Sequence, residues 1–487
     1  MYKHLTEQTA LFASVFKWVF LSSLVGIIIG ALITEFLRII QYAEHYQLLL
    51  KFPYYYTLPF TLVITVWLVK TFAPSAKGHG TEKVIEAVHK KNGKIDVKVI
   101  PVKLIATVLT IFSGGSVGKE GPGAQIGAGM ASLLADVFRF NDKDRKKFVI
   151  CGISAGFAAV FGTPIAGAIF GVEVLIIGSI LYEVLLPSFI AGFAAFTTAR
   201  FLGINYTYYD VHFYQSFALN LPLIIKVITA GIFFGLVANL MISIIKEIER
   251  GIDKLNKKIN HYIVTFLGGV LLVGLTFIFS TNYLGLGLDT IQNCLYPDPY
   301  FARDLPWYAF LVKTIFTGIT LGVGGSGGII TPVFFVGATS GHLFGLIAHA
   351  DNLSLFAALG FVSVLAGATN APIAAIVMAV ELFGIDIAHY AAISAVISFL
   401  ITGHRSVFPS QILALKKSDL LDVEIGKEVE KAKIKEPKIF SKISRTSDIK
   451  KKCKLIKRWR ADQRRLKDRR EKERRKQERR KRQISLK

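Results

Sequence analysis

The sequence predicts an all-α, polytopic membrane protein made of two homologous halves with broken helices. Three observations carry that prediction. The 487 residues are 52% hydrophobic and 19% charged with a mean hydropathy of +0.48, too apolar for an ordinary soluble enzyme of this length. Apolar runs recur from Leu11 to Ile401, several of them shorter than the roughly 20 residues of a full helical span and many interrupted by Gly or Pro. Finally, two motifs recur in the same order at nearly the same spacing. Gly114–Pro122 (G-G-S-V-G-K-E-G-P) aligns on Gly324–Pro332 (G-G-S-G-G-I-I-T-P) at an offset of 210, and Pro164-Ile165-Ala166 with Val172-Glu173 aligns on Pro372-Ile373-Ala374 with Val380-Glu381 at an offset of 208.

Taken in order, the first apolar run, Leu11–Leu37, has no small-residue cleavage site and reads as a retained helix. Lysines cluster at Lys90, Lys91, Lys94 and Lys98, again from Lys143 to Lys147, and again from Lys246 to Lys258; the positive-inside tendency turns these loops toward the cytoplasm. The segments Asn205–Gln215 and Asn282–Pro306, nearly free of Lys and Arg, read as external interface. The loop after the first motif is basic and its counterpart His349–Ser354 is not, so the halves are expected to lie in opposite orientation. Such inverted repeats bring broken-helix N-termini together at one midplane site, where free N–H groups and the positive dipole ends favour an anion.

The expected membrane domain is residues 1–415, with repeat halves at about 10–203 and 220–415; residues 416–487 form a basic cytoplasmic tail, disordered or a solvated helix. Residues 411–487 carry 30 Lys/Arg against 12 Asp/Glu, +18 of the chain's +24. The run Lys467–Arg482 has no apolar stripe and only Trp459 interleaves with the charges, so specific nucleic-acid binding is not expected, whereas contact with anionic lipid is compatible with the charge. Cys151, Cys294 and Cys453 form neither a metal-ligand spacing nor a disulfide framework, and no metal is expected.

Phosphate loops fail on inspection. A Walker A motif would need Gly at Ser113 and Ser/Thr at Glu120, and the G-x-G-x-x-G at Gly322–Gly327 lacks a βαβ context. An intramembrane enzyme would need paired catalytic groups at membrane depth, and the glutamates have no partnering His, Cys or Asp at useful spacing. No enzymatic activity and no cofactor are therefore expected. Read from its residues alone, Glu120 is either a tethered carboxylate in an anion path or a helix cap.

The motifs G-K-E-G-P (Gly118–Pro122), G-G-I-I-T-P (Gly327–Pro332), Pro164–Glu173 and G-H-G-T (Gly78–Thr81) resemble those of the CLC family of chloride channels and chloride/proton antiporters, over about residues 10–415. The resemblance implies an inverted-repeat fold and a homodimer with one anion pathway per subunit. It makes Glu120 the gate, whose carboxylate mimics a permeating anion; repulsion by a nearby anion favours its protonated form and so links proton uptake to anion entry. Anion ligands are expected from Gly118, Lys119, Gly121, Ile329 and Ile330, with His79 and Phe408 at the inner mouth in place of the family's serine and tyrosine. Val174 stands where chloride antiporters carry an inner proton-relay glutamate, and Glu173 and Glu381 read as structural carboxylates satisfied by backbone N–H groups. The expected function is gated transport of chloride or similar monovalent anions in the cell membrane; the alternative is proton-coupled antiport of chloride or fluoride, with Pro122 standing against fluoride.

Overall fold

Glycines and prolines decide where this apolar chain starts and stops its helices. A computed structural model describes residues 2–206, 221–296, 305–418, 420–432 and 434–435. The expectations for 207–215, for 297–304 within Asn282–Pro306, for Cys453 and Trp459, and for the charged run from 436 onward lie outside the described residues.

The first half runs α1 (Tyr2–Leu49), α2 (Leu58–Phe72), α3 (Thr81–Lys90), α4 (Val99–Phe112), α5 (Glu120–Val137), α6 (Asp142–Phe161), α7 (Pro164–Glu173) and α8 (Tyr182–Phe201). The second runs α9 (Leu221–Asn256), α10 (His261–Phe279), α11 (Leu288–Leu295), α12 (Ala309–Gly322), α13 (Ile330–Ile347), α14 (Leu353–Thr369), α15 (Pro372–Phe383) and α16 (Ala388–Thr402). Among the described residues, seven segments are long and apolar enough to cross a membrane, and five more are shorter apolar helices. Both ends of α4 and α12, and of α5 and α13, stand 210 residues apart, so the sequence repeat is a repeat of elements. Asn282–Pro306, the segment expected at the external interface, carries α11; its Thr290, Ile291, Cys294 and Leu295 are buried, and it holds the place in the second half that α3 holds in the first.

The halves are related by a local two-fold, visible in reciprocal bonds. Gly118 and Gly328 form an antiparallel bridge in which each donates its N–H to the other's carbonyl. Ser116 N donates to Thr320 Oγ1 at 3.2 Å and Ser326 N to Thr110 Oγ1 at 3.1 Å. A bond between repeat-equivalent residues that runs both ways is what a two-fold axis between them produces. The chain kinks into this contact at Gly114 and Gly324, with φ of +90° and +106°, values a residue with a Cβ rarely adopts. Close helix packing repeats as well: a Cβ at Gly127 would strike the Gly152 carbonyl, and one at Gly337 the Gly360 carbonyl.

The compact unit holding these helices is residues 1–417 with 425–431, so it extends past the expected limit at residue 415. The reason is local pairing. Ile412–Leu413 lies parallel to Ile176–Ile177, Val429 N donates to Gln411 O at 2.9 Å, and Glu428 pairs with Lys90 at 2.6 Å. A second unit comprises 418–424 and 432–487; its described part contains an antiparallel pairing of Asp422–Val423 with Ile434–Lys435.

Candidate anion site between two helix starts

The first N–H groups of a helix have no intrahelical partner, and α5 and α13 begin against each other. Glu120 is the first residue of α5, Ile330 its repeat equivalent at the start of α13, and Ile329 the residue before. All three are buried, with Glu120 only 3% exposed. The Glu120 carboxylate crosses to α13: Thr331 Oγ1 lies 2.6 Å from each of its oxygens, and Thr331 N donates to Oε2 at 3.2 Å. A carboxylate thus sits at the junction of the two helix starts, held by amide and hydroxyl donors suited to an anion. Gly118 has to be glycine, since a Cβ there would meet Thr331 Cβ at 3.0 Å and the Glu120 carboxylate closer still.

Gly118 itself requires a correction. It was expected to offer its N–H to the anion, but that N–H donates to Gly328 O at 2.7 Å and is consumed in joining the halves. Lys119 precedes α5, half-buried, with no side-chain cap of the helix. Gly121 is packed tightly enough that a Cβ would strike the His79 carbonyl, which places the His79 loop on the first turn of α5.

The structure brings His79 and Phe408 together, with ring centroids 6.2 Å apart. Phe408 is fully buried, and His79 Nδ1 has no hydrogen-bond partner among the described residues. Burial, then Lys103 and Lys83, hold the His79 imidazole down to about 4, so at neutral pH the ring is uncharged and offers an N–H dipole rather than a full charge. The loop is pinned from behind: Lys103 Nζ of α4 donates to the carbonyls of Ala76, at 3.2 Å, and Gly78. Its repeat equivalent Lys313 donates to Tyr283 O at 3.1 Å and Gly285 O at 2.9 Å, before α11. Both lysines are fully buried and neither has a carboxylate partner among the described residues. A buried lysine amine is costly unless its donors are met, and each of these is met by two backbone carbonyls at the matching place in its half.

Glu173 and Glu381 lie apart from this junction and cap each other's half. Glu173 accepts from Ile373 N at 3.1 Å and Ala374 N at 2.8 Å at the start of α15, and Glu381 from Ile165 N at 3.0 Å and Ala166 N at 2.7 Å at the start of α7. Val174 is fully buried, and its carbonyl accepts from Gln411 Nε2 at 2.8 Å. Sequence reasoning missed Thr331, Lys103 and Lys313. The lysines carried a signal, since two cations inside apolar runs at the repeat offset of 210 are improbable without a shared task.

The comparisons with known proteins agree with this architecture. The family model described as "Voltage gated chloride channel" matches residues 61–403. The chain is 33% identical to the "Chloride/fluoride channel protein" of Pseudomonas syringae pv. tomato, over 83% of this chain and 88% of that one. It is 27% identical to the "H(+)/Cl(-) exchange transporter ClcA" of Vibrio parahaemolyticus, over 66% and 69% of the two chains. Among solved structures it resembles a "CLC-type fluoride/proton antiporter", with TM-score 0.76, 28% identity, and 81% of this chain and 98% of that one covered. It shares its fold with a slow cyanobacterial Cl-/H+ antiporter at TM-score 0.69 and 18% identity, over 79% and 94% of the chains. A family model spanning most of the chain, on a two-fold frame of broken helices, makes this a multi-pass membrane protein of the CLC family of anion channels and transporters, to which the chain belongs.

Proposed function

We propose that the chain exchanges protons for a small halide, fluoride ahead of chloride, with Glu120 as the group that carries both the gate and the proton. The observation that supports this most is the contact of Glu120 with Thr331. A carboxylate held at the junction of the two helix starts has to leave before an anion can take its place, and protonation is the step that weakens its hold on amide and hydroxyl donors. Fluoride is favoured because Thr331 adds a hydroxyl to the amides, a donor suited to a small, strongly hydrated anion. Both the Pseudomonas relative and the solved antiporter named above carry fluoride in their names. Pro122, set against fluoride by the resemblance, is the residue whose replacement would show how far that pattern reaches. The second reading, gated passive conduction of chloride, is supported by Val174, since a valine cannot hold a proton.

The same reading includes a homodimer in the cell membrane, with the lysine-rich loops and the tail on the cytoplasmic side and the tail drawn to anionic lipid. The experiment is reconstitution of the full chain in liposomes, with halide efflux followed by electrode and external pH followed together. Proton movement opposite to and in fixed ratio with halide efflux is expected, absent in Glu120→Gln. Efflux with no pH change in the wild type would favour the passive reading.

A further inference from the structure

A proton that reaches Glu120 needs a carrier on the inner side, and Val174 provides none. Another carboxylate lies at that mouth. Glu82, the second residue of α3, accepts from Ser410 N at 3.0 Å on Oε1 and 3.3 Å on Oε2, and from the Ser410 hydroxyl. Ser410 follows Phe408 by two residues, and the Phe408 ring faces His79. On its other side the start of α3 rests on the start of α5: a Cβ at Gly80 would run into the Gly121 carbonyl carbon at 2.7 Å, one residue from Glu120. The side chain of Glu82 is half-buried, neither withdrawn into the core nor free in solution.

From this juxtaposition we propose that Glu82 is the inward-facing proton acceptor of the transport cycle, taking a proton from the cytoplasmic solution and releasing it toward Glu120. The proposal rests on the proton-coupled reading above. The step moves one proton from one carboxyl to another carboxylate and no electrons. His79, whose loop touches both helix starts, is the polar group on hand between the two.

Burial pushes the Glu82 carboxyl up to about 7, against the Ser410 donors and Lys83, so it changes state within the cytoplasmic pH range. The charges around it are otherwise engaged. On α3, Lys83 pairs with Glu86 at 2.8 Å and Lys90 with Glu428 of the 425–431 segment at 2.6 Å. Lys103 of α4 is held by the Ala76 and Gly78 carbonyls. Glu120 of α5 is held by Thr331, and Lys146 of α6 acts on His89 at the far end of α3.

A purely structural Glu82 would only tie α3 to the turn at Ser410, and the test separates the two roles. Wild type, Glu82→Gln, Glu82→Asp and Ser410→Ala are reconstituted, and the proton-to-halide ratio is read with fluoride and with chloride as probes. The ratio is expected to fall on the order of a hundredfold in Glu82→Gln while halide still moves, the lower end of what a positioned proton-transfer group contributes. Glu82→Asp is expected to restore coupling. Ser410→Ala, which removes a donor to the ionised carboxylate, is expected to raise the half-point of inner-pH dependence by about one unit. A wild-type ratio in Glu82→Gln, or proportional loss of both fluxes with an unmoved pH profile in Ser410→Ala, overturns the proposal. If the wild type itself moves no protons, the proton-coupled reading fails and this one fails with it; a coupled wild type with an unaltered Glu82→Gln sinks only the role of Glu82.

Discussion

At the scale of the residue, one carboxylate meets one hydroxyl at the junction of the two helix starts. Thr331 donates to Glu120 through both its N–H and its Oγ1. Thr331→Val keeps the shape and the amide but removes the hydroxyl donor, a loss of roughly 1.5–3 kcal/mol for a bond to a charged group. The carboxylate should then leave its seat more readily, and the initial rate of halide efflux from liposomes should rise about tenfold or more at fixed pH. An unchanged efflux rate would mean that the hydroxyl does not bear on the gate. Glu120 was legible in the sequence because a carboxylate among glycines in apolar surroundings has few inexpensive explanations. Thr331 was not, because its meaning comes from a partner 211 residues away, and an isolated T-P pair reads equally well as an ordinary helix start. The Gly118 N–H was misread for a related reason: glycine shows that backbone comes close to something, not what it comes close to.

At the scale of the element, the halves hold each other by their helix ends. Glu173 caps α15 and Glu381 caps α7, so each glutamate satisfies two N–H groups of the other half. Glu173→Gln and Glu381→Gln should each cost roughly 1–3 kcal/mol and lower the thermal unfolding midpoint in detergent by similar amounts, leaving the proton-to-halide ratio intact. A changed ratio would give either carboxylate a conducting role. The 425–431 segment depends on a pH-sensitive clasp. Lys431 and Lys90 hold the Glu428 carboxyl below its usual range. A carboxyl whose folded value is depressed stabilises above its unfolded value, near 4.3, and loses that contribution as pH falls through the folded value. Protection of the Leu413, Gly426 and Val429 amides, which bond across this segment, measured as the exchange rate relative to that of an unstructured peptide at the same pH, should be high at neutral pH and lower in strong acid. In Glu428→Gln it should be low at both. The V-E repeat was visible in the sequence, but the exchange of caps between halves was not, since spacing fixes a helix and not what its end touches.

At the scale of the molecule, two equivalent halves make one unequal site. The repeat offset, the apolar runs and the family resemblance were all legible before the structure, because helix length and motif order survive in sequence. What was not legible is the reciprocal bonding at Gly118–Gly328, which needs both halves in place at once; the matching pair of buried lysines did stand at the repeat offset, but the carbonyls they hold did not show in the sequence. The symmetry supplies donors from both sides, and only the first half supplies a charge, with Ile330 opposite Glu120. A single protonatable gate on a two-sided cradle should couple anion movement to protons. The most direct test holds fluoride equal on both sides of a liposome membrane, imposes a proton gradient and follows internal fluoride in the presence of an ionophore that clamps the voltage. Fluoride moving against its own gradient as protons run down theirs is the predicted result; fluoride remaining at equal concentration on both sides would contradict it.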